Sequence, residues 1–335
     1  MSAQWNPLRD MPSLHDKVAI VTGGNSDIGR ETVKLLALKG AKVYFTTRSE
    51  AKANEARKRI QDDHPEIDSD KLQSMIMDAT DLRSISSVAD KLKERERKVD
   101  ILAAGTTSTE LVGPGWEIHM AVNLIGPFVF TNRLLPLLKN ALKEKDSDVR
   151  IVTMSSSAQT AMVPASYKFR FTSPDFLRNP VPLPPWQWRY LGRFMFGFDT
   201  TRYGVSKAAN LIFAQELQQR MDEQKLPILS MAVHPGEVAT VGVDSINTAL
   251  VRAIARWTFL TPAQGAATPL FAAAAKEVRQ DPVKYKGKFV FPVGKIGDPN
   301  PVAQDKEQVR GLWQNTTGAV NKQLLADGLP ILDSW

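Results

Sequence analysis

Short runs of branched apolar residues recur along the first half of the chain, at residues 18–22, 42–46, 72–77, 100–103 and 150–154. Runs this short, with little alternation, predict strands buried on both faces. The stretches between them, 28–39, 50–63, 82–97 and 115–142, carry apolar positions three and four apart and predict helices. Strands separated by helices imply crossover units, and crossovers imply a parallel sheet covered on both sides. The second half continues the rhythm with a helix over 203–221, a sixth strand over 227–233 and a seventh over 288–291. The pattern predicts a doubly wound α/β fold of about seven strands. It forms one domain over residues 1–335, and no internal repeat is visible.

Two stretches break the rhythm. Residues 158–202 hold ten aromatic residues (Tyr167, Phe169, Phe171, Phe176, Trp186, Trp188, Tyr190, Phe194, Phe196 and Phe198) and six prolines. The prolines argue against long regular elements and the aromatics against disorder, so an insert walling a substrate pocket is expected. Residues 281–335 read as a C-terminal extension, with a terminal strand and a packing helix near 302–325.

Composition narrows the chemistry. The chain has 335 residues and no cysteine, which excludes disulfides, thiol nucleophiles and thiolate metal sites. The four histidines, His15, His64, His119 and His234, lack ligand spacing, so no metal site is expected. A net charge of +7 favours anionic partners in general, but acidic and basic residues alternate along the apparent helices. No basic–aromatic pattern suggests nucleic acid. The first 16 residues lack a signal-peptide core, and no apolar run reaches the length of a membrane span. A cytoplasmic protein is therefore expected. Residues 249–260 mix Arg252 and Arg256 with Leu250, Ile254, Trp257 and Phe259. A lid over the pocket is the preferred reading for them, and peripheral membrane contact the alternative.

The turn after the first strand reads Thr22-Gly23-Gly24-Asn25-Ser26-Asp27-Ile28-Gly29. A glycine-rich strand–helix turn lets main-chain N–H groups and a helix N-terminus approach a pyrophosphate. The second strand ends in Thr46, Thr47 and Arg48. A carboxylate there would accept from a ribose 2′-hydroxyl; an arginine instead suits a 2′-phosphate, so NADP (as NADPH) is the expected cofactor. Arg30 is positioned to add a second charge.

In Tyr203-Gly204-Val205-Ser206-Lys207 a phenol and an ammonium lie four apart, on one helix face. A cation close to a phenol lowers its pKa from about 10 toward the range useful for proton transfer. Together with the glycine turn, this arrangement resembles the short-chain dehydrogenase/reductase family, within it the retinol-dehydrogenase and WW-domain-oxidoreductase branch and its fungal members. The resemblance implies a Rossmann-type fold and a catalytic set of Tyr203, Lys207, Ser156 and Asn123. Ser155 and Ser157 compete for the serine position. It also implies cofactor contacts from Gly23, Asn25, Ser26, Asp27, Ile28, Gly29, Arg48, Asp78, Ala79, Ala104, Gly105, Asn123, Tyr203, Lys207, Pro235, Gly236, Val238 and Thr240. Tyr203 would relay the proton, Ser156 hydrogen-bond the substrate oxygen, Lys207 lower the phenol pKa, and Asn123 hold a relay water.

Two departures from the family pattern stand out. Asp27 occupies a glycine position of the turn, where it would crowd the pyrophosphate unless it caps the first helix. The usual Asn-Asn-Ala-Gly after the fourth strand is reduced to Ala103-Ala104-Gly105, a shortened turn. The expected function is NADP(H)-dependent interconversion of an alcohol and a carbonyl on a hydrophobic small molecule: retinoid-, terpenoid- or polyketide-like, in secondary metabolism. The alternative is a catalytically impaired member that binds nucleotide weakly and acts through a partner. The sequence leaves open monomer or homo-oligomer.

Overall fold

A computed structural model of the protein describes residues 5–104, 114–182, 199–238 and 259–335. Its centre is one eight-stranded sheet in the order β3-β2-β1-β4-β5-β6-β7-β8. The strands are β1 (Val18–Val21), β2 (Lys42–Thr47), β3 (Leu72–Ile76), β4 (Ile101–Ala104), β5 (Arg150–Met154), β6 (Leu229–Val233), β7 (Phe289–Phe291) and β8 (Lys295–Ile296). Pairing is parallel from β3 through β7, and β8 alone turns back antiparallel on β7. The order reverses direction between β1 and β4, which opens a crevice at the carboxyl ends of the strands. The doubly wound expectation is met. The eighth strand is two residues long, too short to leave a periodic signature.

Alternation along β1 shows why both faces are covered. Val18 and Ile20 join one buried cluster, Ala19 and Val21 the other. The first cluster is closed by α3 (Leu82–Arg95), α4 (Gly126–Ala141), α5 (Thr200–Glu223) and α7 (Lys306–Ala326). The second is closed by α1 (Asp27–Leu38), α2 (Glu50–Asp63) and α6 (Pro262–Ala274). Capping side chains set several starts: Ser49 for α2, Asp81 for α3, Asp199 for α5 and Asp305 for α7. Thr261 and Gln264 form a reciprocal capping box on α6. One helical run among the described residues, Met120–Ala141, has the length and apolarity of a membrane span, and it is mostly buried inside the fold.

Several boundaries differ from expectation for identifiable reasons. The fourth crossover helix does not begin at Gly115. Residues 114–115 are a turn, and the helix enters through a π segment, Met120–Ile125, before α4. The helix read as starting at Tyr203 begins at Thr200, because Asp199 accepts from the Arg202 N–H. Strand β4 runs through Ala104, whose partner is Thr153, so Ala103 and Ala104 belong to the strand, and the rest of the turn read as shortened, from Gly105, lies outside the described residues.

The described part of the aromatic stretch is core rather than pocket wall. Phe171 and Phe176 are fully buried in the first cluster, stacked edge-on with ring centroids 5.1 Å apart. Helix α7 clamps them: the Phe171 N–H donates to Gln308 Oε1 at 2.8 Å, and Asn315 Nδ2 donates to the Phe171 carbonyl at 2.8 Å. Gly311 permits this approach, since a Cβ there would lie 2.7 Å from that carbonyl oxygen. The chain end is tied in as well. Trp335 packs against Phe128 and Trp313 with centroids 4.7 and 4.8 Å apart. Trp186, Trp188, Tyr190, Phe194, Phe196 and Phe198 lie outside the described residues, as do 249–258 of the stretch read as a lid.

Candidate active site

The site is assembled at the carboxyl ends of β1, β4, β5 and β6. After β1 the chain turns at Gly23, whose φ of +67° suits glycine. The Gly23 carbonyl accepts from Ser26 Oγ at 2.7 Å, and Ser26 Oγ in turn accepts from the Gly29 N–H at 3.2 Å. Gly29 is forced by this knot, because a Cβ would stand 2.3 Å from the Gly23 oxygen. Ser26 is therefore the N-cap of α1, and the expectation that Asp27 caps the helix is corrected. Asp27 is the first helical residue, so it carries no left-handed strain, and its carboxylate lies 3.6 Å from Arg30. That places Arg30, read as a second cofactor charge, beside Asp27 on the same turn of the helix. An acid in the first turn suits the helix dipole, while the open main-chain face of the turn suits an anion.

Around this turn, Asn25 is half-buried and Ile28 offers its carbonyl to Thr32. Arg48, just past β2, is exposed and makes no side-chain contact among the described residues. Asp78 is exposed after β3, and its Oδ1 accepts from the N–H and hydroxyl of Thr80 at 2.9 and 2.7 Å. Ala79 presses its carbonyl against Gly126, where a Cβ would come within 2.6 Å. Ala104 is buried at the end of β4. Pro235 and Gly236 follow β6, Gly236 with φ +94°, and Val238 bridges to Leu260. Gly105 and Thr240 lie outside the described residues.

Four of the predicted side chains converge beneath this rim. Asn123 sits in the π segment, fully buried; its Nδ2 donates to Ser206 Oγ at 2.9 Å and its Oδ1 accepts from Lys207 Nζ at 3.3 Å. Lys207 also donates to the Met154 carbonyl at the end of β5, at 3.0 Å. Asn210 Nδ2 shares that carbonyl at 2.9 Å. No carboxylate accompanies these Lys207 contacts, and burial pushes its ammonium down to about 7. Its Nζ stands 5.4 Å from the centre of the Tyr203 ring.

The three consecutive serines have distinct partners. Ser155 is buried and donates to the Lys207 carbonyl at 2.8 Å. Ser157 donates to Glu237 Oε1 at 2.9 Å. Ser156 is the one hydrogen-bonded to Tyr203. Tyr203 is half-buried, and desolvation pushes its phenol up to about 12; Ser156 opposes that rise and the Glu237 charge adds to it. Burial, rather than the expected lowering by Lys207, sets the direction of the phenol here. His119 packs edge-on against the Tyr203 ring, centroids 5.9 Å apart, with its Nδ1 2.8 Å from Glu117 Oε1. Sequence reading overlooked Ser206, Asn210, Glu117, His119, His234 and Glu237. The spacing of Ser206 and Asn210 from Tyr203, three and seven, was the available signal for two of them.

Comparison with known proteins shows the family. The short chain dehydrogenase profile matches residues 17–168. A short chain dehydrogenase/reductase of Colletotrichum higginsianum, dpchH, is 40% identical over 314 residues, 92% of this chain and 76% of the relative. Its counterpart dpfgH from Gibberella zeae is 36% identical over 95% of this chain and 86% of its own. The chain belongs to the short-chain dehydrogenase/reductase family, a family of oxidoreductases. Among solved structures, the Pseudomonas aeruginosa RhlG/NADP complex aligns over 84% of this chain and 96% of its own, with a TM-score of 0.62 at 19% identity. L-sorbose reductase from Gluconobacter frateurii, complexed with NADPH and L-sorbose, aligns over 86% of this chain and 98% of its own, with a TM-score of 0.59 at 15% identity. At those identities the likeness speaks for the fold.

Proposed function

We propose that the protein interconverts an alcohol and a carbonyl on a hydrophobic small molecule with NADP(H), with Tyr203, Ser156, Lys207 and Asn123 as the working residues. The observation that carries this reading is the Ser156–Tyr203 hydrogen bond beside a buried Lys207 whose side-chain partners among the described residues are neutral oxygens. Two hydroxyls that meet at one point can both donate to a carbonyl oxygen placed there. In the reducing direction the Tyr203 proton passes to that oxygen while Ser156 stabilises its developing charge. A phenol held up toward 12 is fully protonated at neutral pH, the form this step requires. Asn123 and the Met154 carbonyl fix Lys207 so that its ammonium faces the phenol and the space above it.

The residues present fit a dinucleotide: Gly23, with φ +67°, and Gly29, where a Cβ would collide with the Gly23 carbonyl, form a tight turn at the N-terminus of a twelve-residue helix, where main-chain N–H groups suit a pyrophosphate. When bound, the nicotinamide would supply or accept the hydride. The exposed guanidinium of Arg48 just past β2 supports the phosphorylated form, and two of the structural neighbours are NADP or NADPH complexes. The similarity to fungal dehydrogenase/reductases supports a place in secondary metabolism, on a retinoid-, terpenoid- or polyketide-like substrate.

Fluorescence titration with NADPH and NADH tests the reading. NADPH should bind more tightly, and Arg48→Ala should weaken it about tenfold while leaving NADH unchanged. Tyr203→Phe should bind NADPH normally and lose turnover of apolar carbonyls by about a thousandfold. Absence of binding by either nucleotide would overturn the enzyme reading in favour of a non-catalytic partner protein. Asp27 in the phosphate turn is the observation that keeps that alternative specific.

A further inference from the structure

Ser156 owes its orientation to its neighbours. Ser155 is tied beneath it, its N–H donating to the Val233 carbonyl at 2.9 Å and its hydroxyl to the Lys207 carbonyl at 2.8 Å. On the other side, the Ser157 N–H donates to His234 Nδ1 at 3.3 Å, and the Ser157 hydroxyl to Glu237 Oε1 at 2.9 Å. His234 is itself immobilised. It is only 5% exposed, its N–H donates to the Val290 carbonyl at 2.9 Å, and its ring packs edge-on against Phe291 with centroids 5.1 Å apart. Glu237 is anchored through its carbonyl, which accepts from the Leu260 N–H at 2.7 Å. The tripeptide is thus gripped at both flanks, by groups from the end of β6 and by the Lys207 carbonyl, and the middle hydroxyl accepts from the Ala158 N–H at 3.2 Å and meets Tyr203.

We propose that His234 and Glu237 are positioning residues for the Ser156 hydroxyl, acting through the main-chain N–H and the side chain of Ser157. The inference rests on the reading of Ser156 and Tyr203 as the residues that touch the substrate oxygen. The geometry dictates the histidine tautomer. Nδ1 accepts from a main-chain N–H and so carries no proton, which places the ring proton on Nε2, 3.6 Å from the Glu237 carboxylate. Burial holds the imidazole below its ordinary pKa, consistent with a neutral acceptor. A rigidly held hydroxyl matters because a displacement of about 1 Å in a reacting group costs on the order of a hundredfold in rate.

The test pairs each residue with a variant that keeps its acceptor and one that does not. Asn at 234 offers an amide oxygen near the place of Nδ1, whereas Leu fills the space without an acceptor; Gln and Leu do the same at 237. With NADPH and a flat apolar diketone such as 9,10-phenanthrenequinone as probe, His234→Leu and Glu237→Leu should each lower kcat about tenfold with KM and NADPH affinity unchanged. His234→Asn and Glu237→Gln should stay within about threefold of the parent. Equal losses in the Asn and Leu variants would reduce His234 to packing and overturn the proposal. Unchanged kcat in both Leu variants would do the same. Nitrogen-15 spectra of the four histidines, assigned by the 234 variants, should show His234 as the Nε2–H tautomer at pH 7; a proton on Nδ1 would also overturn it. Tyr203→Phe and Ser156→Ala separate the levels. If they retain turnover, the parent reading falls; if they lose it while His234→Leu does not, only the positioning role falls.

Discussion

Two cations are buried at opposite ends of β5, and they are treated in opposite ways. Arg150 opens the strand, fully buried, and its guanidinium makes bonds of 2.8 and 2.5 Å to the Asp148 carboxylate. Its remaining donors reach the carbonyls of Ala272 and Ala275 at 3.0 and 2.9 Å, where α6 ends and its dipole is negative. Arg279 also reaches Asp148, at 2.6 Å, and the two cations hold that carboxyl below its usual range. Lys207 meets the other end of the strand at the Met154 carbonyl, with one amide oxygen as its second partner. One charge is compensated on every side, and the other meets two neutral oxygens among the described residues. A scaffold charge needs a counter-charge, whereas a charge kept for chemistry is left responsive to what arrives beside it.

The largest effect that this contrast predicts is at Arg150. Arg150→Met removes a buried guanidinium, strands two helix-terminal carbonyls and leaves Asp148 with Arg279 alone. Loss of such a pair costs about 3–5 kcal/mol. Denaturant unfolding should show it, while NADPH affinity of the remaining folded protein stays within twofold. A variant as stable as the parent would mean that the network holds nothing together.

Lys207→Met should move stability the other way. At pH 7 it removes a poorly compensated buried ammonium at the expense of two hydrogen bonds, for a net gain of about 1–3 kcal/mol, and it should abolish turnover. The pH dependence is distinctive. The folded pKa of about 7 lies below the ordinary value of 10.5, so between them the unfolded chain binds more protons and parent stability rises with pH. That contribution is complete above about 10.5 and lost as pH falls through 7. The advantage of the variant should therefore shrink between pH 7 and pH 10. A variant less stable than the parent at pH 7 would show the ammonium to be well compensated after all.

The same contrast explains what the sequence could and could not convey. Strands β1 to β6 were legible within about two residues at either end, because unbroken branched runs between helices have few other uses. Tyr203 and Lys207 stood out by their spacing of four on one helix face, whereas Ser156 and Asn123 came only with the resemblance to the family. Phe171 and Phe176 were not: an aromatic residue reads the same in a core as in a pocket. The helix that covers them begins more than 130 residues further on. The π segment around Asn123 has no periodic signature, and His234 and Glu237 act only through a third residue. Their part in the site exists in space and not in spacing.

The smallest effect concerns a pair that belongs to neither class. Asp27 and Arg30 stand three apart on α1, 3.6 Å from each other and both partly exposed, at the turn where a pyrophosphate would lie. Exposed pairs of this geometry contribute under about 1 kcal/mol, so Asp27→Asn should change stability by no more than about 0.5 kcal/mol. The retained amide removes the charge without adding a glycine to the first turn of the helix. If the carboxylate opposes the cofactor phosphates, the substitution should tighten NADPH about threefold and free Arg30 to assist. The gain should fade as salt is raised, since it comes from charges that solvent reaches. Unchanged or weaker binding at low salt would show that Asp27 spends its charge on the helix N-terminus and Arg30, so that the departure from glycine is neutral to the cofactor.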